Sequence, residues 1–367
     1  MERERKKLHN SIVESKGGIR VFCRIRPALR HELLSGGSFA PGSIDDVFPS
    51  HQTALTATRL DPSTLELAMG SKNSSSQHIK FSSVFGHDCI QAEVFSELRD
   101  LVQSAVDGYC TMIIAGGPRG SGKTFTMLGE GSENRGLLPR AVDEIFAIRE
   151  RDDWRANLEV DAQMVEIFDV RQMADLLSQG RTARAPTPRL VTADLDLHEL
   201  QAPPSGTVGR LPSGAHVKST SFVTVDGAVT RRCSTKQELK KLVAEGYRNP
   251  SKFWKARHVV LLVTLTRTNR ATGSMTRGKL AFADLGACGG GGGDPTVAAA
   301  YTALTAVFQS LARGDKRPPY RDNILTQVLQ DCLGGSAKAA LVLTLPPAST
   351  SAEECLEAVS FAKLATW

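Results

Sequence analysis

The chain has 367 residues, 41% of them hydrophobic and 23% charged, enough for one large α/β core or two small ones, with a single domain preferred. A formal charge of +6 favours an acidic partner surface, whether nucleic acid, an anionic membrane or an acidic polymer. Seven scattered cysteines (Cys23, Cys89, Cys110, Cys233, Cys288, Cys332, Cys355) include no C-x-x-C pair, which argues against a disulfide framework or zinc site and for a reducing, cytosolic or nuclear setting.

The opening MERERKKLHNSIVESK is charged from its second residue and leads into no long apolar run, so neither a signal peptide nor a membrane span is expected. A soluble protein is. The stretch is rich in helix formers and sets Leu8, Ile12 and Ser15 on one stripe, either a solvated helix or the end of a longer heptad run. Gly17-Gly18 ends it, and Ile19 to Pro27 alternates as a strand. Residues 28–80 read as loop-rich, with Ser71 to Ser76 a polar turn between strands, and Glu93 to Tyr109 reads as a helix closing at Gly108.

The strongest signal is Thr111 to Met127, TMIIAGGPRGSGKTFTM. The apolar run Met112 to Ala115 reads as a buried strand and empties into Gly117-Pro118-Arg119-Gly120-Ser121-Gly122-Lys123-Thr124. That octet meets the G-x-x-x-x-G-K-[ST] phosphate-loop pattern at every fixed position. Gly117, Gly120 and Gly122 let the backbone turn tightly with its amides inward, and the helix opening at Lys123 faces its partly positive end to the anion. Lys123 brings a mobile charge for the outer phosphates and Thr124 a hydroxyl for magnesium. A Gly/Ser string is more often a plain turn; the strand before it and the helix after it decide otherwise.

Ser178 to Ala215 is rich in Pro, Gly, Thr and Arg with little periodicity, an elaborated surface loop. His216 to Val225 follows as a strand and Thr235 to Gly246 as a helix. Val259 to Leu265 is an apolar strand, and another holding Leu280 and Phe282 closes at Asp284. Gly289 to Gly293, a run that most often means a linker, precedes a helix from Thr296 to Leu311 with Asp294 as its cap and Pro295 in its first turn. Ala339 to Leu345 reads as the last core strand, and Ala352 to Ala365 as a closing helix with Leu356, Val359 and Leu364 inward.

KLHNSIVESKGGIRVFCRIRP resembles the neck-to-first-strand junction of kinesin motors of the C-terminal-motor, minus-end-directed class, the kinesin-14 family. The resemblance continues through Phe81 to Phe85, the phosphate loop, Gly136 to Ile148, Met164 to Asp169 with a helical turn at Asp175-Leu176-Leu177, and the C-terminal third. It implies a kinesin-type α/β phosphate-loop NTPase: a central, mostly parallel sheet flanked by helices on both faces, ATP at its edge and a microtubule surface opposite. It assigns Arg24, Arg26 and Pro27 to the adenine-contacting segment and Gly117 to Thr124, with Phe125, to the nucleotide. Thr124 and Asp284 would hold magnesium, the latter directly or through water. Lys316, Arg317, Tyr320 and Arg321, in the stretch Arg313 to Gly335, would face tubulin, where positive charge mainly speeds encounter. Residues 1–16 would be a neck helix ending a coiled-coil stalk, and 17–367 the motor domain.

Two stretches depart from the family pattern. Anchored on His258, the chain has Trp254, Lys255, Ala256 and Arg257 where switch I reads S-S-R-S, so no hydroxyl remains there. Asp284-Leu285-Gly286-Ala287-Cys288-Gly289 stands where switch II reads D-L-A-G-S-E: the phosphate-sensing glycine becomes Ala287 and the glutamate becomes Gly289. The arginine that pairs with that glutamate is Ala256 here. Losing both ends together avoids an uncompensated charge, which costs ~3–5 kcal/mol if buried.

Phosphoryl transfer rests on positioning and charge stabilisation, and one lost contact costs on the order of 10²–10³ in rate. The expectation is therefore a microtubule-binding module, non-motile or partner-dependent, with weak or absent ATP hydrolysis and ATP or ADP with Mg2+ held weakly or not at all. A homo- or heterodimer through the N-terminal coiled coil is expected, in the cytoplasm on the microtubule cytoskeleton, the spindle included, with neither membrane nor nucleic acid as partner. Lys255 or Arg257 is expected to turn inward and pair with Asp284. The alternative is an ATP-driven minus-end motor with slow turnover. A phosphate-loop protein acting on nucleic acid or a small molecule stays open on loop and charge alone.

Overall fold

Cys110–Gly116 and Lys338–Leu345 are buried along their whole length, as strands must be when parallel neighbours flank them and helices cover both faces. The computed structural model describes residues 2–15, 17–29, 55–69, 76–178, 189–194, 221–249, 257–289, 294–349 and 352–365. In chain order these form α1 (Glu2–Ser15), β1 (Ile19–Ile25), β2 (Leu55–Arg59), β3 (Thr64–Met69), β4 (Gln77–Lys80), β5 (Ser83–Phe85), α2 (Gln91–Val106), β6 (Cys110–Gly116), α3 (Lys123–Leu128) and α4 (Leu137–Asp152). There follow β7 (Ala156–Ile167), β8 (Met173–Asp175), β9 (Arg189–Asp194), β10 (Ser221–Asp226), α5 (Lys236–Arg248), β11 (His258–Asn269) and β12 (Met275–Asp284). The chain closes with α6 (Pro295–Ala312), α7 (Ile324–Leu329), β13 (Lys338–Leu345) and α8 (Ala352–Leu364).

The central sheet runs β8-β7-β11-β12-β6-β13-β1-β5. It is an α/β sheet, and a mixed one. The parallel pairings hold β6 and its neighbours β12, β13, β1 and β5, while β12, β11, β7 and β8 pair antiparallel. Alternation along β6 divides the core: Met112 and Ile114 pack with α6, α7 and α8, and Ile113 and Ala115 with α2, α4 and α5.

Several elements differ from the sequence reading. β1 is buried at all seven residues rather than alternating, because both its faces are covered. Residues 55–80, read as loop-rich with a polar turn between strands, hold the antiparallel strands β2, β3 and β4; Ser71 to Ser75 of that turn lie outside the described residues. Asp175 ends an edge strand on β7 rather than opening a helical turn. The expected surface loop 178–215 contains β9, which pairs with β10; the rest of it beyond Ser178 lies outside the described residues. On α8, Val359 faces inward but Leu364 is 38% exposed, and Cys355, Ala358 and Phe361 complete the buried face.

α1 lies along α2. Arg5 pairs with Asp107 at 2.6 Å, His9 Nε2 lies 3.3 Å from Asp100 O, and Val13 is 1% exposed. That face steps by four residues, so the stripe of Leu8 (62% exposed) and Ile12 (57%) points outward. Among the described residues no helix is long and apolar enough to cross a membrane.

Candidate functional site

β6 ends against the neighbouring strand β13, and that contact shapes the loop after it. A Cβ on Gly117, at φ +145, would lie 2.2 Å from Thr344 O, so only glycine passes there. Ser121 is buried, its Oγ 2.7 Å from Thr344 Oγ1 and 2.8 Å from Pro118 O, which straps the loop to β13. Gly122, at φ +97, opens α3. Arg119 and Gly120 form the exposed rim.

Lys123 folds back over the loop, its Nζ donating to Pro118 O at 2.7 Å and Gly117 O at 3.0 Å. Burial lowers its pKa, and the charges of Asp284 and Glu354 oppose that shift. The Thr124 hydroxyl donates to Asp284 Oδ2 at 2.9 Å, and the Tyr247 hydroxyl lies 3.5 Å from the same oxygen. Asp284 Oδ1 is buried without a hydrogen-bond partner. Burial raises the carboxyl's pKa, opposed by the Thr124 bond and the Lys123 charge.

A buried carboxylate oxygen with no donor, beside a hydroxyl, fits a hard divalent cation. Magnesium takes one or two carboxylates and fills its shell with water and phosphate, and among the described residues no group of three or more His, Cys, Asp or Glu offers a fuller cage. Thr124 and Asp284 would hold it. Bound there with a nucleotide, it would neutralise charge on the outer phosphates.

The segment beside the loop divides in two. Arg24 turns inward, 5% exposed, donating to Gln91 Oε1 at 2.8 Å and Thr126 Oγ1 at 2.9 Å with its guanidinium over the Phe125 ring. It braces α2 against α3. Arg26 donates to Gly120 O at 2.8 Å, and Pro27 is exposed beside it.

Trp254, Lys255 and Ala256 lie outside the described residues. Arg257 does not pair with Asp284: its Nη1 donates to Glu166 Oε1 at 2.9 Å, a fully buried carboxylate on β7. His258 is buried, and its Nδ1 accepts the Gly286 amide at 3.2 Å, which leaves the proton on Nε2. Burial pushes its pKa down to about 4.

The tail after Asp284 runs along the phosphate loop. Leu285 N–H donates to Ala115 O and Cys288 N–H to Gly117 O, each at 3.1 Å. A Cβ on Gly286 would lie 2.8 Å from Val297 Cγ2 and 3.1 Å from Arg257 O, so the glycine is wedged between α6 and the end of switch I. Ala287, the next residue, lines a cleft of about 820 Å³ between α6 and α8. Gly289, at φ +86, presses on α8: a Cβ would fall 2.6 Å from Glu354 Cα.

The basic stretch after α6 exposes Lys316, Arg317 and Arg321. Tyr320 does not present its hydroxyl there; the group donates to Leu333 O at 2.8 Å, and burial pushes its pKa up to about 12. Sequence reasoning missed Tyr247, Glu166, Thr344, Glu354 and Tyr301. Each reaches the site from a distant element, and no local pattern marks it.

A strand-loop-helix turn that fits the phosphate-loop pattern, with a hydrogen-bonded Thr–Asp pair at the C-terminal end of a parallel strand, defines an α/β protein of the phosphate-loop class. The kinesin motor domain pattern matches residues 24–366, and the chain belongs to that family. Kinesin-like protein KIN-14C of Arabidopsis thaliana is 32% identical over 381 residues, spanning 98% of this chain and 44% of that protein. Kinesin-like protein KIN-14I of Oryza sativa subsp. japonica is 30% identical over 375 residues, spanning 98% and 26%. The chain thus spans less than half the length of these curated relatives. In fold it is similar to the C-terminal motor and motor homology domain of Kar3Vik1 fused to a synthetic heterodimeric coiled coil, with TM-score 0.77 and 24% identity over 100% of this chain and 89% of that one. The motor domain of Kar3 from Saccharomyces cerevisiae follows, with TM-score 0.73 and 22% identity over 96% and 100%.

Proposed function

We propose that this chain is a microtubule-binding kinesin-14-type domain that keeps the phosphate loop and magnesium residues but hydrolyses ATP weakly or not at all, acting as a non-motile or partner-dependent module. The observation that carries this reading is the switch II tail. Cys288 N–H is bonded to the loop's own Gly117, and Gly289 lies against Glu354, so the tail offers the phosphates neither a carboxylate nor a hydroxyl. The outward Leu8 and Ile12 support a coiled-coil dimer built on α1 as a neck helix, with residues 17–367 as the motor domain. Microtubules, in the cytoplasm or on the spindle, are the partner that suits Lys316, Arg317 and Arg321.

A second reading, a slow ATP-driven minus-end motor, is favoured by the Thr124–Asp284 pair and by the Arg257–Glu166 bond, which gives the end of switch I a new anchor. Microtubule-stimulated phosphate release separates the two. Turnover at ordinary kinesin rates leaves only the second reading; baseline release supports the first. Both need cosedimentation with microtubules that weakens with salt, and no pelleting at low ionic strength removes both.

A further inference from the structure

Tyr301 sits two turns into α6, its ring edge-on to Phe361 at 4.8 Å and its hydroxyl at the seam between the phosphate loop and switch II. That hydroxyl accepts the Gly117 amide at 3.4 Å and donates to Gly286 O at 3.1 Å. Both bonds are buried. The Gly286 amide is held in turn by His258 Nδ1 at 3.2 Å, so switch I, switch II, the phosphate loop and α6 meet within two hydrogen bonds of one phenol.

We propose that Tyr301 is a positioning residue for the nucleotide site: its hydroxyl sets the orientation of the Gly286–Ala287 peptide relative to Gly117. A trans peptide is planar, so holding the Gly286 carbonyl on one side directs the Ala287 amide to the other. Among the described residues Tyr301 is the donor to that carbonyl, and Gly286 sits where a Cβ would already meet Val297 Cγ2 at 2.8 Å, so the backbone there lies close against α6. The second bond fixes the residue at which the phosphate loop leaves β6. A preorganised loop binds its anion without first ordering itself, so the hydroxyl contributes to affinity without touching a phosphate.

This inference rests on the nucleotide-binding part of the proposed function, and the test keeps the two apart. Tyr301→Phe removes the hydroxyl and retains the ring against Phe361. In a titration with a fluorescent ADP at fixed magnesium, the variant is expected to bind about 2–10-fold more weakly, the range set by one net hydrogen bond. Amide hydrogen exchange in peptides covering 116–121 and 285–289 is expected to speed up by a similar factor without added nucleotide, while exchange across α6 beyond Thr305 stays as in the wild type. Were wild-type protein to bind no ADP, the proposed function would lose its nucleotide, and the exchange experiment would still judge Tyr301. Equal affinity together with equal exchange would overturn the proposal and reduce Tyr301 to a packing residue. Tyr301→Leu, which also removes the ring, should lower thermal stability as well, a loss that Tyr301→Phe should not share.

Discussion

The phosphate loop and the switch II tail touch through one backbone hydrogen bond, yet their residues are held to type by different things. The loop is constrained by the central sheet: Gly117 faces Thr344 O on β13 at a distance no side chain survives, and Ser121 is strapped to the same residue. The tail is constrained by whatever packs on it, Gly286 by Val297 and Arg257, and Gly289 by Glu354. A motif of the first kind stays recognisable, whereas one of the second kind changes together with its neighbours. The order Gly286-Ala287 suits this chain because position 286 has no room for a Cβ.

Restoring a single family residue tests that contrast most severely. Gly289→Glu places a side chain in a left-handed conformation and into α8, so it should destabilise the fold by about 4 kcal/mol in a urea melt rather than improve hydrolysis. A stable variant with faster phosphate release would break the comparison.

The second effect is set by pH. Burial holds His258 at about 4 against an ordinary 6.5, so between those values the unfolded chain binds a proton that the folded chain does not. The stability this protects is fully present above pH 6.5 and is lost as pH falls to about 4, up to about 3 kcal/mol. The nearby charge of Asp294 works against the shift. Unfolding free energy measured across that range should flatten in His258→Asn; an equal slope in both proteins would mean that another group titrates.

On the loop side, Lys123→Ala should weaken nucleotide binding about 10–100-fold, the loss expected for hydrogen bonds to a charged group, read by the same fluorescent titration. Unchanged affinity would make the loop a turn and nothing more. The mildest change is Arg257→Ala, which removes a partly exposed partner from the buried Glu166 and should cost about 1–2 kcal/mol. If it cost nothing, the anchor assigned to the end of switch I would be incidental.

What could be read from residues alone was whatever depends on neighbours in the chain. The phosphate loop, the Asp294 cap and the Pro295 start of α6 are legible because a strand end, a turn and a helix start are local events with fixed residue requirements. The small sheet β2 to β4 escaped because its strands are short and polar outside, without a long period. The family pattern puts Arg24 in the adenine-contacting segment, while its bonds to Gln91 and Thr126 become visible only once α2 and α3 lie beside β1.

By itself the sequence determined the strand, the glycine-rich turn and the helix start of a phosphate-loop pattern, since these follow from an apolar run, glycines, a lysine and a hydroxyl at set spacings. Only the tertiary structure decided that Arg257 turns to Glu166, that Glu354 stands where a Gly289 side chain would go, and that Tyr301 joins loop to switch. Those contacts cross between 15 and 184 residues of chain, and burial and geometry between separate elements, not local propensity, fix them.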